Sequence, residues 1–259
     1  FVLPSLAALV LLLGYPTAAA VASSFSAPRG SALTLANYAY ALSDPIFWLV
    51  VKNHWMFVVL TVVAHVALGF AVALLLNLPV PGITVFRVIA ILPWTIPDVI
   101  AGIMWRWMYD PLYGVVNDVL RRLGVVDQPV TWLGEPSLAL LSVAVADIWR
   151  GFPFVMLILL AGLQTVPQDL YEAAAIDGAG AWRRFLHITV PGVMPMLVVA
   201  VALDTVWQSR RFGLIEAMTQ GGPGNLTEIL STFVYRQYFK FFDYEYAAAV
   251  AVILAVMLL

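Results

Sequence analysis

Long apolar stretches alternate with shorter polar connections along this chain. A helix needs roughly 20 apolar residues to cross a bilayer core of about 30 Å. Six stretches are candidates for such helices: 2–24, 54–76, 86–108, 138–162, 190–212 and 244–259, all approximate, the last being short. Because backbone amides in lipid must be paired within their own segment, each is predicted to be a helix. The pattern therefore predicts an all-α, polytopic membrane protein with six transmembrane helices and one domain over 1–259.

Composition supports lipid as the main solvent of the chain. The residues are 63% hydrophobic and 11% charged, and the mean hydropathy is +0.94. A net charge of −2 gives no reason to expect a nucleic-acid partner. The absence of cysteine excludes disulfides, zinc–thiolate sites and thiol nucleophiles. The first apolar stretch lacks a basic flank and is longer than a signal-peptide core, so we expect a retained span, and we expect both chain ends to have been trimmed.

Some features of the spans and connections predict local structure. In 109–136, Val115, Val119 and Leu123 recur at helical spacing among charged residues, which predicts a short amphipathic helix on the membrane surface. The segment 213–243 contains a Gly-Gly-Pro-Gly turn followed by aromatic residues typical of a membrane interface. Prolines within the spans are expected to kink them: Pro16, Pro93, Pro97, Pro153 and Pro195.

The connection 164–189 is the most distinctive in sequence. Residues 168–176 can form a helix with Glu172 in its first half, where a carboxylate suits the positive end of the helix dipole. Gly178 then permits a turn that a residue with a Cβ would resist. A second helical piece follows, with apolar residues three apart: Trp182, Phe185 and Ile188. This predicts a compact two-helix plug suited to a groove on a soluble partner.

From Glu172 the chain reads EAAAIDGAGAWRRFLHITVP, which fits the pattern EAA, three residues, Gly, nine residues, Ile, one residue, a branched apolar residue and Pro. This resembles the cytoplasmic coupling loop of binding-protein-dependent ABC importer permeases, with Val190 where Leu is usual. DIWRGFPF, ILPWTIP and TQGGPG resemble the carbohydrate-uptake branch, notably the larger membrane subunits of maltose importers. The resemblance covers nearly the whole chain from about residue 50. It implies a type I ABC importer permease-like fold in the cytoplasmic membrane of a prokaryote.

The resemblance also implies a function and partners. The chain would be a subunit of an ATP-driven sugar importer, forming half of the pathway beside a second permease subunit. Two ATPase subunits would dock at the coupling loops, and an extracytoplasmic solute-binding protein would dock on the opposite face. The expected coupling residues are Glu172, Ala173, Ala174, Asp177, Gly178 and Trp182. The sequence contains no G-x-x-x-x-G-K-[ST] loop, so ATP and Mg would be held by the partner, and this chain is expected to be neither an enzyme nor a metal or cofactor carrier.

Polar side chains at bilayer depth are costly, so each needs a partner or a water-filled cavity. Four polar residues lie on one helix face at 0, +3, +4 and +7: Asp204, Trp207, Gln208 and Arg211. Together with the positions matched by the resemblance, they give the predicted sugar-binding residues: Trp94, Asp98, Arg150, Gly151, Phe154, Asp204, Trp207, Gln208 and Arg211. Aromatic faces stack on sugar C–H surfaces, while carboxylates and amides bind hydroxyls.

Other interpretations of these polar groups remain open. Their charges either bind a charged sugar or pair internally, and the cluster could instead only hold helices together. Asp147 and Arg150, at i and i+3, could neutralise each other, and His65 is predicted to be a packed, hydrogen-bonded residue. An ion-coupled secondary transporter with the acids as coupling sites is the alternative function. Such folds usually show repeated halves, and none is visible in this sequence.

Overall fold

The computed structural model describes residues 2–27 and 32–258 of the chain. Within these residues the regular secondary structure is helical. The helices, in chain order, are α1 (Pro4–Ser24), α2 (Ala36–Ser43), α3 (Pro45–Leu76), α4 (Ile83–Thr95), α5 (Asp98–Met108), α6 (Val115–Arg122), α7 (Ala139–Leu163), α8 (Gln168–Ile176), α9 (Ala181–Ser209), α10 (Gly213–Met218), α11 (Leu230–Phe239) and α12 (Tyr244–Met257). The predicted all-α class is confirmed.

Within residues 2–27 and 32–258, four helices are long and apolar enough to cross a membrane: α1, α3, α7 and α9. The pair α4 and α5 counts as a fifth if its two halves, bent by 94° from each other, form one broken span. Helix α12 has 14 residues, fewer than the roughly 20 that a full crossing needs, so the sixth predicted span stays a prediction. A polytopic membrane protein is thus supported by four or five helices.

The described chain groups into two compact units, one drawn from 1–55 with 219–259 and the other from 56–218. The core of the first is built on α2, α11, α12 and the start of α3, with buried side chains that include Phe47, Phe233 and Val250. The prediction of a single domain is not tested by this grouping.

The second unit contains every residue of the predicted site. Its core lies where α3, α7 and α9 pack, and includes Ala73, Met156, Leu159 and Ala200. Gly69 permits the close approach of α3 to α7, because a Cβ there would lie 2.9 Å from the backbone nitrogen of Met156. This tight packing fixes the three helices that carry most of the polar side chains described below.

The third predicted span is broken rather than merely kinked. Helix α4 ends at Thr95, Ile96 is extended (ψ 128°), and α5 begins at Asp98. Pro97 lacks an amide hydrogen and disfavours a helical conformation in the residue before it, so the helix stops there. By contrast, helices continue past the other four prolines that were expected to kink spans: Pro16, Pro93, Pro153 and Pro195.

The predicted short helix of the 109–136 connection is α6. It carries an exposed i, i+4 ion pair between Asp118 and Arg122, with 2.9 Å between Oδ2 and Nε. Val115 and Val119 are also exposed. The helix and its amphipathic character are confirmed, and its position on a membrane surface stays a prediction.

Close packing of α5 against α10 depends on Gly102. A Cβ at this position would lie 2.8 Å from Ala217 Cβ and 2.9 Å from the Leu214 carbonyl oxygen. We expect Gly102→Ala to destabilise the protein by about 1–3 kcal/mol through overpacking, measured as a lower unfolding temperature in detergent. Gly14→Ala is the matched control, since its Cβ would meet only an ordinary contact at 3.8 Å. Equal unfolding temperatures for the two variants would refute this role of Gly102.

Candidate functional site

Arg150 of α7 closes the break between α4 and α5. Its Nε donates a hydrogen bond to the Ile96 carbonyl oxygen at 2.9 Å, a carbonyl that the broken helix leaves without a helical partner. Its Nη2 lies 2.6 Å from Oδ1 of Asp98, the first residue of α5. The Asp98 carboxylate also suits this position because it lies at the positive end of the α5 dipole. One guanidinium therefore joins both sides of the break to α7.

Arg211, just after α9, connects the same carboxylate to a second one. Its Nη1 donates to Asp98 Oδ1 at 3.1 Å, while its Nε lies 2.8 Å from Oδ1 of the fully buried Asp147. The same Nε donates to Gln208 Oε1 at 3.1 Å. Asp147 is thus at ion-pair distance from Arg211 and not from Arg150, because the Arg150 guanidinium is already held by Asp98 and Ile96. Pairing of Asp147 with Arg150 is not what the structure shows.

His65 of α3 lies at the centre of the buried polar groups. Its Nδ1 is 2.8 Å from Asp204 Oδ2, and its Nε2 is 3.2 Å from the Asp147 carbonyl oxygen. Gln208 Nε2 donates to Asp204 Oδ1 at 3.1 Å. The ring packs directly against Gly151, where a Cβ would overlap it. The prediction that His65 is packed and hydrogen-bonded is confirmed, and Gly151 makes that packing possible.

Three aromatic rings lie beside these charged groups. Trp94 and Phe154 are stacked, with 6.0 Å between ring centroids and 28° between planes. Phe154 in turn contacts Trp207, at 4.4 Å between centroids. Trp94 is 37% and Trp207 40% exposed, so both indoles present an open surface. We call these three residues the aromatic wall.

The aromatic wall and the polar groups enclose one cavity of about 620 Å³. All nine residues predicted to bind sugar line it, and Arg210 lines it as well. The sequence pattern missed Arg210, which lies off the 0, +3, +4, +7 face. The sequence pattern also did not predict that His65 and Asp147 contact the lining residues Asp204 and Arg211, because these contacts depend on how the helices pack. Contact of the nine residues with a solute stays a prediction.

The structure also settles how the charges are arranged. Asp98, Arg150, Asp204 and Arg211 each have a partner of opposite or complementary character within the chain. Internal pairing, one of the interpretations left open by the sequence, is therefore observed for these four residues, and their contact with a solute stays a prediction. Among the residues that the structure describes, no group of His, Asp and Glu is arranged to hold a metal ion.

The predicted coupling loop folds as a helix, a tight turn and a second helix. Helix α8 spans Gln168–Ile176, as predicted. Gly178 has φ +78°, and the amides of Gly178 and Ala179 donate to the carbonyls of Ala175 and Ala174. These paired bonds form a Schellman cap, which requires a left-handed residue and so favours glycine. The turn is therefore determined by local sequence.

The outer face of this loop is open to solvent. Glu172, Ala173 and Asp177 are exposed, as is Gly178, whereas Ala174 is half-buried. Two large apolar side chains are more exposed than usual for a loop without a partner: Ile176 at 87% and Trp182 at 69%.

The inner face of the loop contacts the helices. Tyr171 Oη and Thr189 Oγ1 are 3.0 Å apart and tie α8 to α9. The Trp182 ring stacks on Phe185, which contacts Phe70 of α3, with 5.4 Å between centroids in each pair. An aromatic connection therefore runs from the exposed loop surface to a spanning helix.

A family model described as "Binding-protein-dependent transport system inner membrane component" matches residues 65–259. The chain belongs to this family. It is therefore a multi-pass inner-membrane permease of a binding-protein-dependent ABC importer.

Named relatives and solved structures agree with this assignment. The permease is 37% identical to the sulfoquinovosyl glycerol transport system permease protein SmoG of Agrobacterium fabrum, covering 97% of this chain and 83% of that protein. It is 40% identical to the trehalose/maltose transport system permease protein MalF of Thermococcus litoralis, covering 90% and 78%. A chain in the crystal structure of a bacterial ABC transporter for the acidic polysaccharide alginate matches with a TM-score of 0.88 at 22% identity, covering 99% of this chain and 88% of that one, which shows the shared fold.

The contacts of Arg150 with both sides of the helix break are expected to stabilise the permease. We expect Arg150→Met to destabilise the permease by about 1–3 kcal/mol, because the Ile96 carbonyl loses its donor and Asp98 loses one of its two arginines. The measurement is thermal unfolding of the purified permease in detergent. Arg122→Met is the control, because it removes an exposed pair that contributes little. If Arg150→Met unfolds no earlier than the control, the capping role is wrong.

Proposed function

We propose that this permease moves an uncharged sugar through the cavity beside the aromatic wall. The observation that carries the proposal is the juxtaposition of three exposed or half-buried rings with hydrogen-bonding groups in one cavity. Aromatic faces suit the C–H surfaces of a sugar ring. The amide and carboxylate groups of Gln208 and Asp204 lie next to Trp207 on one helix face and suit its hydroxyls.

Internal pairing of the charges supports an uncharged substrate. Asp98 already accepts from two guanidinium groups, and Asp204 already contacts His65 and Gln208. A charged solute group that bound any of these paired residues would have to displace one of the partners, which is costly for a buried ion pair. Arg210, an exposed cation of the same cavity, lies outside these pairs. Neutral hydroxyls can add to the remaining lone pairs without breaking the ion pairs.

The names of the relatives support a sugar as the substrate class. MalF of T. litoralis is named for trehalose and maltose, and XacH of Haloferax volcanii, 36% identical over 90% of this chain, is named for xylose and arabinose. SmoG is named for sulfoquinovosyl glycerol, the anionic member of this set. These names support a sugar as the substrate of this permease, and the closed set of ion pairs favours a neutral one.

Transport would be driven by ATP bound outside this chain. The exposed Glu172, Ile176 and Trp182 form a surface suited to a groove on an ATPase subunit, which would supply the ATP and Mg site that this sequence lacks. Two such subunits, a second permease subunit and an extracytoplasmic solute-binding protein complete the proposed importer. Closure of the ATPase pair would move the coupling loops and switch the helix packing between inward- and outward-facing states.

Removal of a wall ring tests the cavity. We expect Trp207→Ala to reduce transport affinity about tenfold or more, because stacking and buried area are lost together. The measurement is uptake by proteoliposomes holding the assembled importer, with radiolabelled trehalose, maltose, xylose, arabinose and sulfoquinovosyl glycerol in turn. Trp107→Ala removes an exposed indole outside the cavity and serves as the control. Unchanged uptake by Trp207→Ala would show that the cavity is not the sugar site, and uptake of the anionic glycoside alone would overturn the neutral substrate.

A charge reversal tests the coupling surface. We expect Glu172→Lys to reduce co-purification of the ATPase subunit with the permease, since a carboxylate contact becomes a repulsive one. Asp127→Lys, an equally exposed acid outside the coupling loop, is the control. Retention of the ATPase by Glu172→Lys at the level of the control would rule out a docking role for Glu172. Uptake that survives ATP depletion and is lost with a proton uncoupler would instead indicate ion coupling.

A further inference from the structure

His65 must carry a proton on Nε2. This nitrogen lies 3.2 Å from the Asp147 carbonyl oxygen, which can only accept a hydrogen bond. The ring is completely buried, so no water competes for this contact at the protein surface. The Nε2–H is therefore fixed by the backbone of α7.

A proton must also lie between Nδ1 and Asp204. These atoms are 2.8 Å apart, which is too close for a bare nitrogen lone pair to face a carboxylate oxygen. Gln208 Oε1 accepts from Arg211, so its Nε2 is a donor, and it donates to Asp204 Oδ1 at 3.1 Å. With a proton on Nδ1, the 3.3 Å between Nε2 and Nδ1 is a close approach of two donors and not a hydrogen bond. Imidazole is a stronger base than a carboxylate, so we assign this proton to Nδ1, and both ring nitrogens then act as donors.

The charge count of the buried groups agrees with this hydrogen bonding. Three carboxylates belong to one set of ion pairs, because neighbouring carboxylates share a cation: Asp98, Asp147 and Asp204. Arg150 and Arg211 supply two positive charges, and a doubly protonated His65 supplies the third. The six groups then sum to zero, whereas a neutral His65 beside an ionised Asp204 would leave one negative charge of this set unbalanced, which is costly at bilayer depth. Arg210 also lines the cavity, but it is exposed and lies outside this set of ion pairs.

We propose that His65 is an imidazolium and acts as the positioning residue that holds the cavity-lining side chains of Asp204 and Gln208 in place. It faces Asp147 and Gly151 from α7, and Asp204 and Gln208 from α9, while Arg211 faces Asp147 from the end of α9. Loss of its charge would leave Asp204 without its closest cation and free the Gln208 amide to turn. The part of the proposal that concerns substrate binding rests on the sugar cavity proposed above.

Nitrogen-15 NMR tests the protonation state directly. The assembled importer is prepared in lipid nanodiscs with ¹⁵N-labelled histidine, and the His65→Gln spectrum is subtracted from that of the wild type at neutral pH. The expected difference is a pair of signals at positions typical of imidazolium, with a proton on each nitrogen. A signal typical of an unprotonated ring nitrogen in the difference spectrum would overturn the proposal.

Paired variants test positioning against simple space filling. His65→Gln keeps a hydrogen-bonding side chain but leaves one excess negative charge, so we expect a lower unfolding temperature and an increase of about tenfold in KM for the panel sugar that the wild type transports. The double variant His65→Gln/Asp147→Asn restores zero net charge while keeping Asp204. We expect it to regain most of the unfolding temperature and of the KM.

The outcomes separate this proposal from that of the sugar cavity. A double variant that is no better than His65→Gln, or that fails to assemble, would show that charge balance is not the role of His65. If His65→Gln alone fails to assemble, the double variant becomes the reference for the NMR subtraction. An imidazolium signal together with unchanged uptake by Trp207→Ala would leave His65 as proposed and remove only the cavity assignment.

Discussion

Ionic groups at bilayer depth must find partners within the protein, and this requirement organises the second unit of the permease. Asp98, Asp147 and Asp204 come from α5, α7 and α9, and each lies at ion-pair distance from a cation on another segment. Removal of Arg211 or of the His65 charge would leave the buried Asp147 or Asp204 without its closest cation. The same contacts therefore hold the helices in register and shape the cavity between them.

The broken third span shows how the need for internal partners also shapes the cavity. A break exposes backbone groups that lipid cannot satisfy, and Arg150 satisfies one of them while binding Asp98 across the break. Irregular backbone at this depth is tolerated where it lines a cavity, and Trp94 before the break and Asp98 after it both line one. The cavity consequently has hydrogen-bonding groups whose charges are largely paired within the protein, and the aromatic wall lies on one side of it. The coupling loop contacts α3 through Phe185 and Phe70, so a partner that moved this loop would also move a helix of the same unit.

Local features of this structure could be predicted from sequence, whereas its long-range pairs could not. The face at Asp204, Trp207, Gln208 and Arg211 follows from helical periodicity alone, and the helix and turn of the coupling loop follow from residues 168–178. The partner of Asp147 could not be predicted in this way, because the nearest arginine in sequence is held by a helix break 54 residues away. The role of His65 depends on residues 82 and 139 positions distant, and on a glycine that lets its ring approach α7.

The most direct measurement of the central claim is a cryo-EM structure of the assembled importer with a transported sugar held in place by an ATPase partner that binds but does not hydrolyse ATP. We expect the sugar ring to lie against Phe154 and Trp207, with the Asp98–Arg150 and His65–Asp204 contacts intact and only neutral hydroxyls approaching them. A sugar bound elsewhere in the pathway, or a guanidinium turned away from its carboxylate to hold the solute, would contradict the account of a cavity lined by internally paired charges.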